Sequence, residues 1–437
     1  MGAHAFSCEP RLCRHFRLAL ATTRPLALNT FLIKAPSAPK TLRCATTLWY
    51  HLVVKNMSAQ TMPMLNVEDI IIVGAGPAGA YLAYLLARNG IHATIFDDSH
   101  PREKPCGGAI SPFALRKFPI LERVPHSRTV DRIMAVSPKG REAMLHLPKD
   151  SGMVVSREHL DWYLLQQAVN HGAKLVKERV TDIEGKADGW LIRTRNGESS
   201  SRIVIGADGV NSVVRRRIVG HIPRKNIAAC IGYFARGYEK DYGIIRFLDG
   251  CNGYAWIFPR ETHASIGVGM DIKRANNLRG HLNGFVEQYI PNMEKPSRYG
   301  ALIPAIREPS FFNMPCSGLN WILIGDAAGH VNPITGEGIL YALWSAELAS
   351  RALTEGNPSK FDVLWRGEYS PELVEACRLV RFIYSARVLN FFITRASRSK
   401  AAERILAELF TNAQSYRGLV KRVLASLPGI LLESTLG

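Results

Sequence analysis

The sequence predicts an α/β fold with a parallel sheet assembled from separated segments, an inserted mainly antiparallel β domain and a helical C-terminal tail. Three observations predict it. An apolar run at 70–73 leads into a glycine-rich turn and a helix, residues 227–270 read as short alternating strands with aromatics, and helical patterning takes over after residue 370. The chain has 437 residues, of which 47% are hydrophobic and 21% charged, so it can bury a large core.

The first element is a β-α-β unit. Residues 70–73 form a continuous apolar run, as expected of a strand buried on both faces. Residues 78–89 are rich in helix formers and are followed by Gly90, a residue type that commonly stops a helix. A second strand, 93–96, ends at Asp97, and the whole unit has the pattern of a parallel sheet.

The turn after the first strand, GAGPAG, predicts a site for a nucleotide pyrophosphate. Gly74 permits the tight turn, Gly76 lets the backbone approach the phosphates, and Gly79 lets helix and strand pack closely. Asp97 is placed to accept a hydrogen bond from a ribose hydroxyl, and the adjacent Asp98 is an alternative. The residues expected at the cofactor in this unit are Gly74, Gly76, Pro77, Ala78, Gly79 and Asp97.

Two later apolar strands end in similar turns. Residues 202–205 lead into a turn with Asp208, and residues 321–324 lead into Gly325 and Asp326. A simple nicotinamide dehydrogenase does not need two further aspartates at strand ends. The three turns together resemble the FAD-binding signature of glutathione-reductase-type flavoproteins. The resemblance implies a Rossmann-type FAD-binding domain, in which Asp326 holds ribityl or ribose hydroxyls and Asp208 orders the turn beside the pyrophosphate.

Two further stretches narrow the resemblance. KPCGG at 104–108 looks like the cysteine-bearing segment of geranylgeranyl reductases, and YAWIFP at 254–259 resembles their YxWxFP motif. Since alternate strand residues share a face, Tyr254, Trp256 and Phe258 are expected to form one aromatic wall that suits a long apolar chain and a flavin. The chain is therefore similar to the geranylgeranyl reductase family of the aromatic-hydroxylase-like flavoproteins.

This resemblance covers about residues 69–360 and implies further site residues. PITGEG, beginning at Pro333, opens a helix whose N–H groups can face the flavin, and Arg157 lies where the family places an arginine toward FAD. The chain departs from the family at Cys251, where a proline often precedes the motif tyrosine. The residues implied at the cofactor are Lys104, Arg157, Asp208, Gly325, Asp326, Pro333, Gly336 and Gly338. Those implied at the substrate are Gly107, Gly108, Tyr254, Trp256 and Phe258.

These features predict an FAD-dependent oxidoreductase that reduces carbon–carbon double bonds of a prenyl chain on a lipid or a diphosphate. Cys106 is expected beside the reaction, as proton donor or shape determinant, with a buried inert thiol as the alternative. No second GxGxxG motif is present, so the electrons are expected from NADPH or from a ferredoxin as redox partner protein. Two other functions stay open: a flavin monooxygenase or halogenase of an aromatic substrate, and a non-catalytic lipid-binding flavoprotein.

The net charge of +18 is concentrated at the ends of the chain. Residues 1–67 contribute +7 and residues 375–437 contribute +6. No groove-reading module accompanies the charge, so nucleic acid is not an expected partner. The cysteines show no metal-ligand spacing, which predicts a reducing compartment and no metal.

The C-terminal helices are the candidate membrane surface. One apolar stripe is expected over Ile405, Leu406, Leu409 and Phe410. A second is expected over Leu419, Val420, Val423, Leu424 and Leu427, with Lys421 and Arg422 projecting elsewhere. Such basic amphipathic helices can lie on an anionic membrane or pack back on the catalytic domain. No apolar run is long enough for a membrane span, so any contact is expected to be peripheral.

Residues 1–67 are predicted to be an extension outside the packed fold. Their Arg, Thr, Ala and Pro content suits a transit peptide, which implies an organelle, or a mis-assigned start before Met57, Met62 or Met64, which implies the cytoplasm. The predicted boundaries are 68–130, 150–225 and 310–360 for the FAD-binding domain, 131–149 and 226–309 for the substrate domain, and 361–437 for the helical C-terminal region.

Deletion of residues 1–66 should leave folding and flavin content unchanged. The segment has no apolar periodicity to bury, so its removal exposes little core. The yield of soluble protein and its flavin-to-protein ratio, compared between the full chain and a chain starting at Val67, measure this. Loss of soluble, flavin-loaded protein would show that the extension belongs to the fold.

Overall fold

The computed structural model describes residues 70–147, 152–412 and 414–436. The extension predicted at 1–67 lies outside the described residues. The α/β class, with a parallel sheet, a mixed sheet and C-terminal helices, is confirmed.

The strands up to residue 206 have at most five residues, and longer strands follow between residues 227 and 304. In chain order the strands are β1 (Ile70–Val73), β2 (Thr94–Phe96), β3 (Ala109–Ile110), β4 (Arg128–Val130), β5 (Arg132–Val136), β6 (Glu142–His146), β7 (Gly152–Val154), β8 (Lys174–Val176), β9 (Asp182–Lys186), β10 (Gly189–Arg193), β11 (Glu198–Ser201), β12 (Ile203–Gly206), β13 (Ile227–Arg236), β14 (Gly243–Phe247), β15 (Gly253–Pro259), β16 (Ala264–Asp271), β17 (Glu294–Pro304) and β18 (Trp321–Leu323).

The α-helices lie between and beyond these strands, and the last six follow one another after β18. In chain order they are α1 (Pro77–Arg88), α2 (Pro112–Lys117), α3 (Arg157–Asn170), α4 (Val213–Ile218), α5 (Leu278–Tyr289), α6 (Ile339–Thr354), α7 (Lys360–Glu368), α8 (Ser370–Ile383), α9 (Ala386–Ala396), α10 (Lys400–Phe410) and α11 (Leu419–Leu436).

A five-stranded parallel sheet carries the glycine-rich turns. Its order is β18-β12-β1-β2-β8, and β1 at its centre is fully buried. The turns after β1, β12 and β18 leave the sheet at the same edge because the strands run parallel. This edge is where open α/β sheets bind their ligands, and the sequence brings it together from segments up to 250 residues apart.

A seven-stranded sheet, ordered β17-β13-β16-β15-β14-β5-β6, forms the second layer. Only the β14–β5 pair among its neighbours is parallel. The short strands predicted at 227–270 were wrong in length, since β13 alone has ten residues. Glycine also lies inside these strands. A Cβ at Gly267 would lie 2.3 Å from the Trp256 ring, so this glycine makes room for an aromatic on the same face.

The C-terminal helices pack back on the second sheet. Leu406 and Leu409 of α10 are buried in a core cluster shared with Leu145 of β6 and Phe247 of β14. The stripe predicted on α11 is only partly buried: Leu419, Val423 and Leu427 pack inward, whereas Val420 and Leu424 are exposed. None of the helices in the described ranges has the length and hydropathy needed to cross a bilayer.

Candidate functional site

A cavity of about 560 Å³ lies between the two sheets and collects most of the predicted site residues. Its volume is in the range of cofactor and ligand sites. Gly79, Gly108 and Gly325 do not line it. The predicted residues that line it are Gly74, Gly76, Pro77, Ala78, Asp97, Lys104, Cys106, Gly107, Arg157, Asp208, Tyr254, Trp256, Phe258, Asp326, Pro333, Gly336 and Gly338.

The first glycine turn has the geometry of an anion site. Gly74 has φ +99°, and a Cβ there would lie 2.6 Å from the Ala207 carbonyl oxygen; a Cβ at Gly79 would lie 1.9 Å from the Gly74 carbonyl oxygen. Both glycines are therefore needed for packing within the protein. Gly76 differs, because a Cβ there meets no atom within 4 Å although the residue lines the cavity. The open space above Gly76, at the N-terminus of α1, fits a pyrophosphate.

Asp97 lines the cavity and also stabilises this turn through hydrogen bonds to its backbone. Its carboxylate accepts hydrogen bonds from the Ala75 N–H at 2.8 Å and from the Ser99 N–H at 2.8 Å. Burial would raise the pKa of Asp97, but these hydrogen bonds hold it below its usual value. Asp98 turns instead to Arg179 at 3.2 Å.

A cluster of cations forms one wall of the cavity. Arg157, at the start of α3, makes a bidentate pair with the buried Asp161, at 2.6 and 2.8 Å, and Arg102 approaches the same carboxylate at 3.4 Å. Burial would lower the pKa of Arg157, but Asp161 raises it. The pKa of Lys104 is lowered by burial and by repulsion from Arg157. Arg102, Lys104 and Arg157 line the same cavity as the Gly76 turn, which suits an anionic cofactor.

The other two strand-end aspartates play different parts. Asp208 accepts a hydrogen bond from the Val213 N–H at 2.6 Å and so caps α4, while its Oδ1 is buried without a hydrogen-bond partner among the described residues. Burial raises the pKa of Asp208. Asp326 lies beside Gly338, where a Cβ would be 3.2 Å from its Oδ1. Gly325, with φ +57°, serves the turn that presents Asp326.

The loop of residues 332–338 is held by hydrogen bonds from one of its own side chains and from three side chains elsewhere in the fold. The Asn332 carbonyl Oδ1 accepts hydrogen bonds from two N–H groups of the loop, at 2.8 and 3.2 Å. Three successive backbone carbonyls each accept one hydrogen bond from a different part of the fold, which fixes the path of the loop that leads into α6. The donors are Arg307 to Pro333 at 2.8 Å, Tyr384 to Ile334 at 2.7 Å and Tyr254 to Thr335 at 2.6 Å.

Two side chains hold the loop that carries Cys106 by hydrogen bonds to its backbone. The Cys106 carbonyl accepts hydrogen bonds from Arg260 Nη2 at 3.0 Å and Ser265 Oγ at 2.9 Å. Arg260 is nearly fully buried and pairs with Glu103 at 3.1 Å. The Gly108 N–H donates to the Cys106 sulfur at 3.3 Å. The thiol is thus oriented toward the cavity that it lines.

The aromatic wall is present and lines the same cavity. Tyr254 and Trp256 have ring centroids 5.8 Å apart, and the Trp256 indole donates to Ser265 Oγ at 3.2 Å. Gly107 packs against the third ring, since a Cβ there would lie 2.8 Å from Phe258. Gly108 lies against the Val155 carbonyl oxygen, which is 2.1 Å from where its Cβ would be. It does not line the main cavity, but it lines a second cavity.

The second cavity, of about 160 Å³, shares part of its lining with the first. It shares Cys106, Tyr254 and Phe258 with the main cavity. Phe247 of β14 and Phe410 of α10 stack at 5.3 Å in its wall. The C-terminal helical region therefore supplies part of the site.

Sequence reasoning missed several residues of the main cavity. Cys230 lies on β13 and lines it, with its pKa raised by burial to about 12, so it is part of the site rather than a remote thiol. Tyr299, Arg307 and Tyr384 line it too. Only the period-2 alternation of β13 and β17 could have indicated Cys230 and Tyr299, because neither residue lies in a motif.

One known family matches the N-terminal part of the described chain. The family described as "FAD binding domain" matches residues 68–228. This range includes β1, β2, β8 and β12 of the parallel sheet. FAD is therefore the cofactor that the family match and the open turn at Gly76 both support.

Individual proteins extend the match to most of the chain. Geranylgeranyl diphosphate reductase of Rhodobacter capsulatus is 32% identical over 67% of this chain and 77% of its own length. Digeranylgeranylglycerophospholipid reductase of Methanocaldococcus jannaschii is 30% identical over 66% of this chain and 78% of its own. A geranylgeranyl bacteriochlorophyll reductase-like protein from Thermoplasma acidophilum has a crystal structure with a TM-score of 0.67 at 22% identity, over 82% of this chain and 98% of that one. This last likeness shows the fold alone.

Proposed function

Because the chain belongs to the geranylgeranyl reductase family of FAD-dependent oxidoreductases, we propose that it reduces carbon–carbon double bonds in a prenyl chain carried by a lipid or a diphosphate. One observation carries the proposal. A single cavity is lined by the anion-binding turn at Gly76, by the aromatic wall and by Cys106, and a second cavity shares Cys106, Tyr254 and Phe258 with it. Such a cavity accommodates a nucleotide at one end and a long hydrocarbon at the other.

The parallel sheet would hold the cofactor and the seven-stranded sheet the substrate. The turn at Gly76 and the cations Lys104 and Arg157 would bind the phosphates, Asp97 a ribose, and Asp326 hydroxyls nearer the flavin. Bound FAD in its reduced form supplies the hydride for alkene reduction. Its electrons would come from NADPH or from a ferredoxin.

The residues of the chain would then position the alkene and supply the proton. An isolated double bond lacks a polarising carbonyl, so orientation must provide much of the catalysis. Tyr254, Trp256 and Phe258 would hold the prenyl chain and exclude water. One alkene carbon would take up the hydride, and the Cys106 thiol, held by the Gly108 N–H, would donate the proton to the other.

Substrate-dependent flavin reoxidation without oxygen tests this function. The protein is reduced anaerobically and mixed with geranylgeranyl diphosphate, and the visible flavin absorption is followed. Reoxidation under these conditions is the expected result. A monooxygenase or halogenase would require oxygen and an aromatic substrate, and a non-catalytic flavoprotein would stay reduced. The same absorption measurement, with NADPH or reduced ferredoxin added to the oxidised protein, identifies the electron donor.

The protein would reach its lipid substrate as a peripheral membrane protein. Among the side chains of α11 that the structure describes, four large apolar ones lie exposed: Val420, Leu424, Leu431 and Leu432, at 44%, 59%, 44% and 62% exposure. Basic residues accompany them, including the exposed Lys421. An apolar row flanked by cations suits the surface of an anionic bilayer.

Replacing Leu424 and Leu432 together by glutamate should weaken binding to anionic vesicles about tenfold or more, because apolar insertion is lost and like charge is added. Cosedimentation with vesicles of phosphatidylcholine and phosphatidylglycerol measures the change. Val363→Glu is the matched control, since Val363 is 71% exposed on α7. Equal binding of the double variant and wild type would contradict the membrane role of α11.

A further inference from the structure

The Glu337 carboxylate is buried in the loop of residues 332–338 and joins three parts of the chain. Its Oε1 accepts hydrogen bonds from the Ser111 hydroxyl at 2.7 Å and the Ser111 N–H at 3.3 Å. Its Oε2 accepts one from the side-chain amide of Asn412, beyond the end of α10. Burial raises the pKa of Glu337, whereas the Ser111 and Asn412 donors lower it. A buried carboxylate is costly without such donors, so each of them matters to the loop.

Asn412 is held in the orientation that this contact needs. Its backbone has φ +51°, a left-handed conformation that asparagine tolerates better than most residues. Its Oδ1 accepts hydrogen bonds from Asn332 Nδ2 at 2.8 Å and from the Tyr416 hydroxyl at 3.1 Å. Because Oδ1 faces these donors, the Nδ2 group must face Glu337. The amide therefore has one orientation that satisfies every partner.

The network returns to the loop at its other end. Asn332 donates to Asn412, while its own Oδ1 accepts from two N–H groups of the loop, and its backbone N–H donates to the Glu337 carbonyl at 3.1 Å. Both ends of the loop are thus tied to one side chain of the C-terminal region. Asn412 itself lines neither cavity, so any effect it has on the reaction must act through the loop.

We propose that Asn412 is a positioning residue, which sets the loop of residues 332–338, and with it Pro333, Gly336 and Gly338, against the flavin. The proposal rests on the FAD site of the proposed function and not on its substrate. It assigns to the C-terminal region, which lies beyond the FAD-binding motifs, a part in shaping the cofactor environment that acts through the loop.

Asn412→Asp tests it with almost no change of shape. The substitution replaces the donor with a carboxylate oxygen facing Glu337, so repulsion should displace the loop. We expect a shift of the visible flavin spectrum and of the flavin midpoint potential, together with about tenfold weaker retention of FAD, the factor that loss of a hydrogen bond to a charged group implies. Asn390→Asp is the matched control: its Oδ1 accepts the Lys139 N–H, at 3.1 Å, away from both cavities. This variant should retain the wild-type spectrum and potential.

A second variant keeps the test decisive if Asn412→Asp does not fold. Asn412→Gly preserves the left-handed backbone and removes the side chain, and the same spectral and potential shifts are expected. Wild-type spectrum, potential and FAD retention in the folded variant would overturn the proposal. These measurements use the flavin alone, so their failure is distinguishable from failure of the enzyme to reduce prenyl substrates.

Discussion

Replacing Gly76 by valine should abolish FAD retention while leaving the fold intact. A Cβ at Gly76 meets no protein atom within 4 Å, so the added side chain enters only the space above the turn. That space is where the proposed FAD site places the pyrophosphate against the backbone. We expect purified Gly76→Val protein to carry less than about one tenth of the wild-type FAD, with unchanged circular dichroism.

Two other glycines serve as comparisons for Gly76. Gly197 also meets no atom within 4 Å but lies away from both cavities, so Gly197→Val should keep its FAD. Gly79→Val should fail to fold, because a Cβ there collides with the Gly74 carbonyl. A yellow Gly76→Val protein with full FAD content would contradict the placement of the cofactor.

Replacing Cys106 by serine should keep FAD bound and slow prenyl reduction about a hundredfold, the low end of what a general acid contributes. A serine hydroxyl is a much weaker acid than a thiol but occupies nearly the same space. If the thiol also shapes the alkene pocket, the number of double bonds reduced per substrate changes as well. Turnover and product distribution of the FAD-loaded variant are the measurements.

Cys316→Ser is the matched control for this substitution. Cys316 is buried, its pKa is raised by burial to about 12, and it lines neither cavity. Cys230 cannot serve as a control, because it lines the same cavity as Cys106. Identical turnover and products in Cys106→Ser and wild type would remove Cys106 from the mechanism and leave the flavin assignment standing.

The parts of the site that sequence predicts are those whose geometry is local. The strand, turn and helix around Gly74 fit within about 30 residues, and each glycine has a steric reason that a motif expresses. The alternation of Tyr254, Trp256 and Phe258 is equally local, because a strand places alternate residues on one face. These residues do line the cavity.

The parts that escaped prediction depend on packing between distant segments. Tyr384 reaches the Ile334 carbonyl because α8 packs on the second sheet, and no residue near it indicates that contact. Asn412 reaches Glu337 across 75 residues. Cys230 enters the cavity through the register of β13, which depends on its pairing with β16 and β17. Such contacts follow from register and helix docking, which periodicity alone does not determine.

The mass of the prenyl product tests the central claim most directly. Reduced, FAD-loaded protein is mixed anaerobically with geranylgeranyl diphosphate, and the extracted product is measured by mass spectrometry. The proposed function predicts a product that has gained two hydrogen atoms for each double bond reduced, with one flavin reoxidised per bond. If geranylgeranyl diphosphate is recovered unchanged while the flavin stays reduced and the protein stays folded, the protein does not reduce this prenyl diphosphate. The same result with a digeranylgeranyl lipid would contradict the claim as a whole.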